Sequence, residues 1–223
     1  MSYLLHMDTS SPTCSVSVAE NGVLIAEHNT VVENAHASIL STTISQLIAT
    51  ASISYHQLSA IAISAGPGSY TGLRIGVSLA KGLSYGLDIP FIAISTLEAM
   101  AYSMAQQQPD SSGIYIPMID ARHSNIYTGI YDSNCQNLLK DTFIPMNEYF
   151  FNIYLRSYEN RYFGGRGISE EVAEHGTLIE NICCISSNMV RIAYDRYIKK
   201  EFEDIAYYEP NYLKEYEVRI KSK

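Results

Sequence analysis

Between Ser64 and Pro90 the chain reads SAGPGSYTGLRIGVSLAKGLSYGLDIP, with glycine at 66, 68, 72, 76, 82 and 86. The β-branched run IAIS that leads into it reads as a strand, and LRIGVSLAKGL has helical spacing, so the segment is strand, turn and helix. An interior helical glycine costs up to about 1 kcal/mol relative to alanine. A helix that keeps Gly76 and Gly82 is therefore built for something only a missing side chain allows, such as close backbone approach. Gly66 and Gly68 shape the turn, and the free N–H groups that open the helix are also how anion sites are made. Gly72, Gly76 and Ala80 share one helix face, with Arg74 and Lys81 beside it. Two readings of that face are open. It packs on strands of its own lobe, or it joins the helix at 36–52, with His36 and Leu40, in docking a homologous lobe of a partner.

The chain also repeats itself. YLLHMDTSSPTCSVSVAENG from Tyr3 is echoed by YIPMIDARHSNIYTGIYDSN from Tyr115, an offset of 112 residues that matches Asp8 to Asp120 and Val18 to Ile130. Each copy reads as a strand ending in Asp, a short polar turn and a second alternating strand. The offset predicts two lobes, 1–108 and 109–223, divided at the linker QQQPDSSG. In the first lobe GVLIAEHNTVV is a third strand, and AHASILSTTISQLIATASI is an amphipathic helix with Leu40, Ile44, Leu47 and Ile48 on one stripe. LSAIAIS, the glycine-rich helix, IPFIAIS and STLEAMAYSMAQQ follow, the last capped by Ser95 or Thr96. The second lobe reads thinner: helix-like MNEYFFNIYLR, strand-turn RYFGGRGISE, strand-like TLIENICCI, helix-like NMVRIAYDRYIK, and a Tyr-rich tail that can lie back on the first lobe. The class is α/β with mixed sheets and a reduced second lobe.

Composition narrows the function. The formal charge is −8 and the cations are scattered until the KSK end, so direct nucleic-acid binding, which rests on neutralised phosphates, is disfavoured. The four cysteines form no CxxC pair and suit a reducing cytoplasm. No apolar run approaches a membrane span, and the start MSYLLHMDTSS has no signal-peptide character. No two of the six histidines lie four apart, so no helical imidazole pair exists to hold a metal, and none is expected. GPGSYTG lacks the G-x-S-x-G spacing of a nucleophile elbow, which leaves Ser69 and Thr71 as turn and cap residues.

A duplicated lobe with Asp8 and Asp120 at hairpin bends, and a late GGRG turn at Gly164, Gly165 and Gly167, resembles the actin-like, ribonuclease-H-like superfold of sugar kinases and heat-shock ATPases. That resemblance implies a cleft in which the two carboxylates, Ser10, Ser11 and the glycine turn approach a weakly held nucleotide. A purely structural role for Asp at a hairpin bend, bonding nearby backbone N–H groups, is the competing reading. Within the superfold, SAGPGSYTGLRIGVSLAKGL is similar to the TsaB (YeaZ) family, supported by MDTSSPTCSVSV, DARHSNIY and PNYLK and extending over essentially the whole chain. The family resemblance implies a non-catalytic dimerisation subunit of tRNA threonylcarbamoyladenosine synthesis, without a cofactor of its own. It would pair with the catalytic subunit TsaD through first-lobe helices and self-pair when alone. The ATPase TsaE would join it, TsaC would supply the activated intermediate, and tRNA would be met only indirectly. Ser124-Asn125 departs from the Gly-Glu usual after DAR in that family. A small nucleotide hydrolase or a peptidase acting on a partner is the alternative.

Overall fold

The computed structural model describes residues 1–31, 36–168 and 170–214. Two five-stranded sheets follow one plan. In the first, β1 (Tyr3–Asp8), β2 (Thr13–Glu20) and β3 (Val23–Val31) form an antiparallel meander, and β4 (Leu58–Ser64) and β5 (Phe91–Ile94) add in parallel beyond β1, giving the order β3-β2-β1-β4-β5. In the second, β6 (Ile114–Asp120), β7 (Asn125–Tyr131) and β8 (Asn137–Pro145) repeat the meander, and β9 (Arg161–Arg166) and β10 (Thr177–Ile179) repeat the parallel pair, giving β10-β9-β6-β7-β8. The second sheet is therefore complete. What is reduced is its helices: α1 (His36–Thr50) has 15 residues, while its counterpart α4 (Glu148–Tyr154) has seven.

The first sheet buries one face under α1 and α2 (Tyr70–Leu87). Alternation along the strands points Leu5, Met7, Val16, Val18, Ile61 and Ile63 to that face, where the helical stripe of Leu40, Ile44, Leu47 and Ile48 meets them. Ser69 caps α2, its Oγ accepting from Gly72 N at 3.2 Å, because a hydroxyl satisfies one of the N–H groups a helix start leaves over. Ser95 does the same for α3 (Thr96–Gln107), accepting from Leu97 N and Glu98 N at 3.1 and 3.3 Å.

The linker after Gln107 divides the sequence, yet packing crosses it. Leu97, Met100 and Met104 of α3 lie on Tyr115, Ile119 and Tyr131 of the second sheet. In return α5 (Val190–Lys199), from the second half, covers Leu4, Ala60, Ala62, Ile92 and Ile94 on the inner face of the first. Arg196 fastens the exchange with both oxygens of Glu98, at 2.8 and 2.6 Å. Past α5 the chain runs back along the first sheet: Glu203 N donates to Phe91 O at 2.9 Å, Asn211 N to Ala65 O at 2.8 Å, and the Tyr208 ring stands edge-on to Phe91. The KSK end lies outside the described residues. Among the described residues no helix is long and apolar enough to cross a membrane.

Candidate functional site

Two surfaces meet around the start of α2. On the side toward the sheet, Gly72, Gly76 and Ala80 are buried. A Cβ at Gly72 would collide with the carbonyl oxygen of Thr9, and one at Gly76 with the Thr9 hydroxyl. That hydroxyl donates to Gly72 O at 2.8 Å, so the helix rests directly on the bend of the first hairpin. The docking reading of these three residues is corrected accordingly: the close approach that the glycines allow is to the chain's own backbone. Leu40 is corrected with them, since it is sealed in the same core. Arg74 and Lys81 touch the returning tail. The Arg74 guanidinium lies over the Tyr70 ring at 4.3 Å and its Nε donates to Tyr212 Oη at 3.1 Å, while Lys81 Nζ donates to Tyr208 O at 3.1 Å. His36 opens α1, and its side chain lies outside the described residues.

The opposite side of α2 carries a second row of small residues. Ser78, Gly82 and Gly86 are exposed one turn apart, with Tyr85 81% exposed beside them. Beyond the helix's own backbone, no heavy atom lies within 4 Å of where a Cβ at Gly82 or Gly86 would sit. Ser41, Ser45 and Ala49 of the neighbouring α1 are exposed as well. The signal was in the sequence, since Gly82 and Gly86 belong to the same run; the phase of the helix decides which glycines look outward.

Above the N-terminus of α2 a cleft of about 830 Å³ opens between the two hairpin turns. Of the residues expected to face a nucleotide, Ser10, Ser11, Asp120 and Gly167 line it, joined by Gly68, Ser69, Tyr70, Thr71, Tyr127, Arg122 and Arg166. Asp8 does not, which corrects its place in the set. Its carboxylate is 1% exposed beneath the turn, and Oδ1 accepts from Ser10 N at 2.8 Å and Ser10 Oγ at 2.7 Å. Asp120 makes the matching bond, Oδ1 from Arg122 N at 2.8 Å, but stands exposed. The two carboxylates thus share no open site where a hydrated cation could bridge them. Gly164 and Gly165 are corrected too: Gly164 faces Ile182 and Met104, and Gly165, at φ +151°, lies against the Met118 carbonyl, so both let β9 pack. Arg122 and Arg166 are the residues missed, although each sits in a motif the sequence displays, DAR and GGRG.

The two buried thiols are not poised for chemistry. Burial pushes the Cys14 thiol up to about 11 and the Cys184 thiol up to about 12, which leaves both protonated and inert near neutrality.

The sequence model of the family described as TsaD: tRNA N6-adenosine threonylcarbamoyltransferase matches residues 27–218. The tRNA threonylcarbamoyladenosine biosynthesis protein TsaB of Bacillus subtilis is 37% identical over 128 residues, which are 57% of this chain and 54% of that protein. The TsaB of Escherichia coli is 31% identical over 57% of this chain and 54% of its own length. The chain thus spans about half the length of the curated relatives it matches. Among solved structures, YeaZ from Pseudomonas aeruginosa superposes with a TM-score of 0.81 at 24% identity, over 96% of this chain and 100% of that one. The activator of 2-hydroxyisocaproyl-CoA dehydratase from Clostridium difficile, with bound ADPNP, superposes at 0.52 and 12% identity over 91% and 98%, and shares the actin-like fold. With a family match over most of its length and TsaB proteins as its curated relatives, the chain belongs to this TsaD-type family, on its TsaB (YeaZ) branch.

Proposed function

We propose that the chain is a non-catalytic partner subunit in tRNA threonylcarbamoyladenosine synthesis that docks a homologous, TsaD-type catalytic chain through the outer face of α1 and α2. The observation that carries this reading is the open row Ser78, Gly82 and Gly86. Small residues at four-residue spacing let a second helix approach closely, and an exposed, unobstructed face is what a helix-on-helix interface needs. The names of the relatives supply the pathway. Withdrawal of Asp8 from the cleft supports a chain that breaks no bond of its own. On this reading the same face pairs two copies when the partner is absent, TsaE joins the assembly, TsaC feeds it, and the partner holds the tRNA in the cytoplasm. The net charge of −8 favours that division of labour.

The test is Gly82→Leu. The added side chain meets open space in the monomer and replaces a helix-disfavouring glycine, so melting should hold or rise slightly, while self-association and capture of the purified TsaD-type chain should weaken at least tenfold. A Gly82→Leu chain that associates as the parent does would retire this reading.

A further inference from the structure

The returning tail after α5 consists of two stretches held in different ways. Residues 203–208 are anchored: Glu203 N donates to Phe91 O at 2.9 Å, Ile205 and Tyr208 pack on the first core, and Asp204 O accepts from Tyr207 N and Tyr208 N at 3.2 and 2.9 Å. Residues 209–214 run on over the surface. Asn211 N donates to Ala65 O at 2.8 Å, and Asn211 O passes so close to Gly66 that a Cβ there would meet it at 2.9 Å. The Tyr212 ring then lies on Tyr70, centroids 4.9 Å apart, with its hydroxyl accepting from Arg74 Nε at 3.1 Å. Two residues on, Lys214 Nζ stands over the Phe143 ring at 5.3 Å.

The second stretch therefore has one grip on each half of the molecule. Tyr70 opens α2 in the first half, while Phe143 belongs to β8 of the second sheet and packs on Tyr127 at 5.5 Å. Tyr70 and Tyr127 are walls of the cleft between the hairpin turns, one from each half. The grips are of a kind that lets go. A backbone hydrogen bond, a ring pair, a hydroxyl contact and a cation over a ring are each worth little net of what water offers. Ordering each residue costs backbone entropy of the same size, so this stretch stands near balance between seated and released. Apolar burial of Ile205 and Tyr208 gives 203–208 the firmer hold.

We propose that residues 209–214 are a releasable strap along the rim of the cleft. Seated, the strap ties the first turn of α2 to β8. Released, it uncovers Tyr70, Arg74 and Phe143, and the two hairpin turns are then coupled only through the packing of α3 and α5. Gly66, at φ +100°, belongs to the device, since a side chain there would hold the strap off Ala65. Every contact that defines the strap lies within one chain, so the inference holds whether or not the α1–α2 face docks a partner.

Nuclear magnetic resonance of the full chain tests it, with the Glu203 amide as the internal reference for the anchored stretch. The Asn211 amide should exchange about tenfold faster than that of Glu203, or more, because the strap opens without the rest of the fold. Lys214→Ala cuts the grip on the second half and should speed Asn211 exchange about threefold while Glu203 stays as it was. Tyr212→Ala cuts the grip on the first half and should shift the Phe143 ring resonances and raise millisecond exchange broadening at the second hairpin turn, 121–125. The proposal is overturned if Asn211 is as protected as Glu203, or if the two amides speed up together, since the tail is then one piece. It is equally overturned if Lys214→Ala leaves Asn211 unmoved or Tyr212→Ala leaves Phe143 unmoved, since the two grips then act separately and nothing ties the halves along this rim.

Discussion

The two sheets share a plan and differ in what they bury under the helix each receives from the other half. Beneath α5 the first sheet carries His6, Asp8, Ser15, Ser17 and Ser64, all buried, and Ser15 Oγ is tied to Ser186 Oγ at 2.8 Å. Beneath α3 the second sheet offers Tyr115, Ile119 and Tyr131. The hairpin connections explain much of the contrast. Asp8 pairs with Ser15 across the first bend and Asp120 with Ile126 across the second, so the second connection is one residue shorter. Asp8 shares its face with Leu4, toward α5; Asp120 shares its face with Ile114, Ile116 and Met118, toward α4. Repetition in sequence therefore carries over as topology, while the chemistry of each face depends on strand parity.

The halves also close their outer faces by opposite means, and the largest expected effect tests this. The first half presses α2 onto Thr9 through Gly72 and Gly76; the second fills the space under α4 with Phe150 and Phe151. Gly76→Leu drives a branched side chain into Thr9 and Ile63 and should remove about 3 kcal/mol or more of stability in urea unfolding, since no flexible surface group can yield there. Gly82→Leu, two turns along on the outward side, is the matched control for stability. If Gly76→Leu unfolds with the parent's midpoint, the inner glycines are not what seats the helix.

The polar face of the first sheet should show itself in acid. Desolvation lowers the His6 pKa to about 4, against a partial opposing effect of the Ser17 carbonyl, to which Nδ1 donates at 3.3 Å. An unfolded imidazole takes up its proton near 6.5, so the unfolded state binds more protons as pH falls below that value. Stability is thus present above 6.5 and is lost down to about 4, at ~1.4 kcal/mol per unit and roughly 3 kcal/mol in all. His6→Met should remove that component while other titrating groups cancel in the comparison with the parent. Parallel pH profiles for the two chains would show that the buried imidazole is not the acid-sensitive element of this face.

Much of this architecture was legible beforehand. Apolar and β-branched runs placed β1, β2, β4 and β5, which are buried at nearly every residue, and helical periodicity placed α1 to α3; the mostly exposed β3 was read as well. β8 carries no clean sequence signal, since Asn137–Pro145 is a half-exposed edge strand interrupted by Lys140 and Asp141. Gly72 and Gly76 were recognised as sites of close approach, but a spacing of four serves an inner face and an outer face equally, and only the bend at Thr9 separates them. Arg122 and Arg166 escaped notice because a cation's partners, or their absence, are set by the tertiary fold.

The smallest effect separates the twin carboxylates. Removing the Asp8 side chain by Asp8→Ala leaves the largely buried N–H and hydroxyl of Ser10 without their acceptor beneath the turn, which should cost about 2 kcal/mol. Asp120→Ala removes one bond, to Arg122 N, at an exposed position where water takes its place, and should cost well under about 1 kcal/mol. Equilibrium unfolding of the two variants side by side decides the matter. Equal losses would mean that burial of the first bend contributes nothing beyond the turn bond itself, and that the two hairpins, for all their difference in parity, are energetically interchangeable.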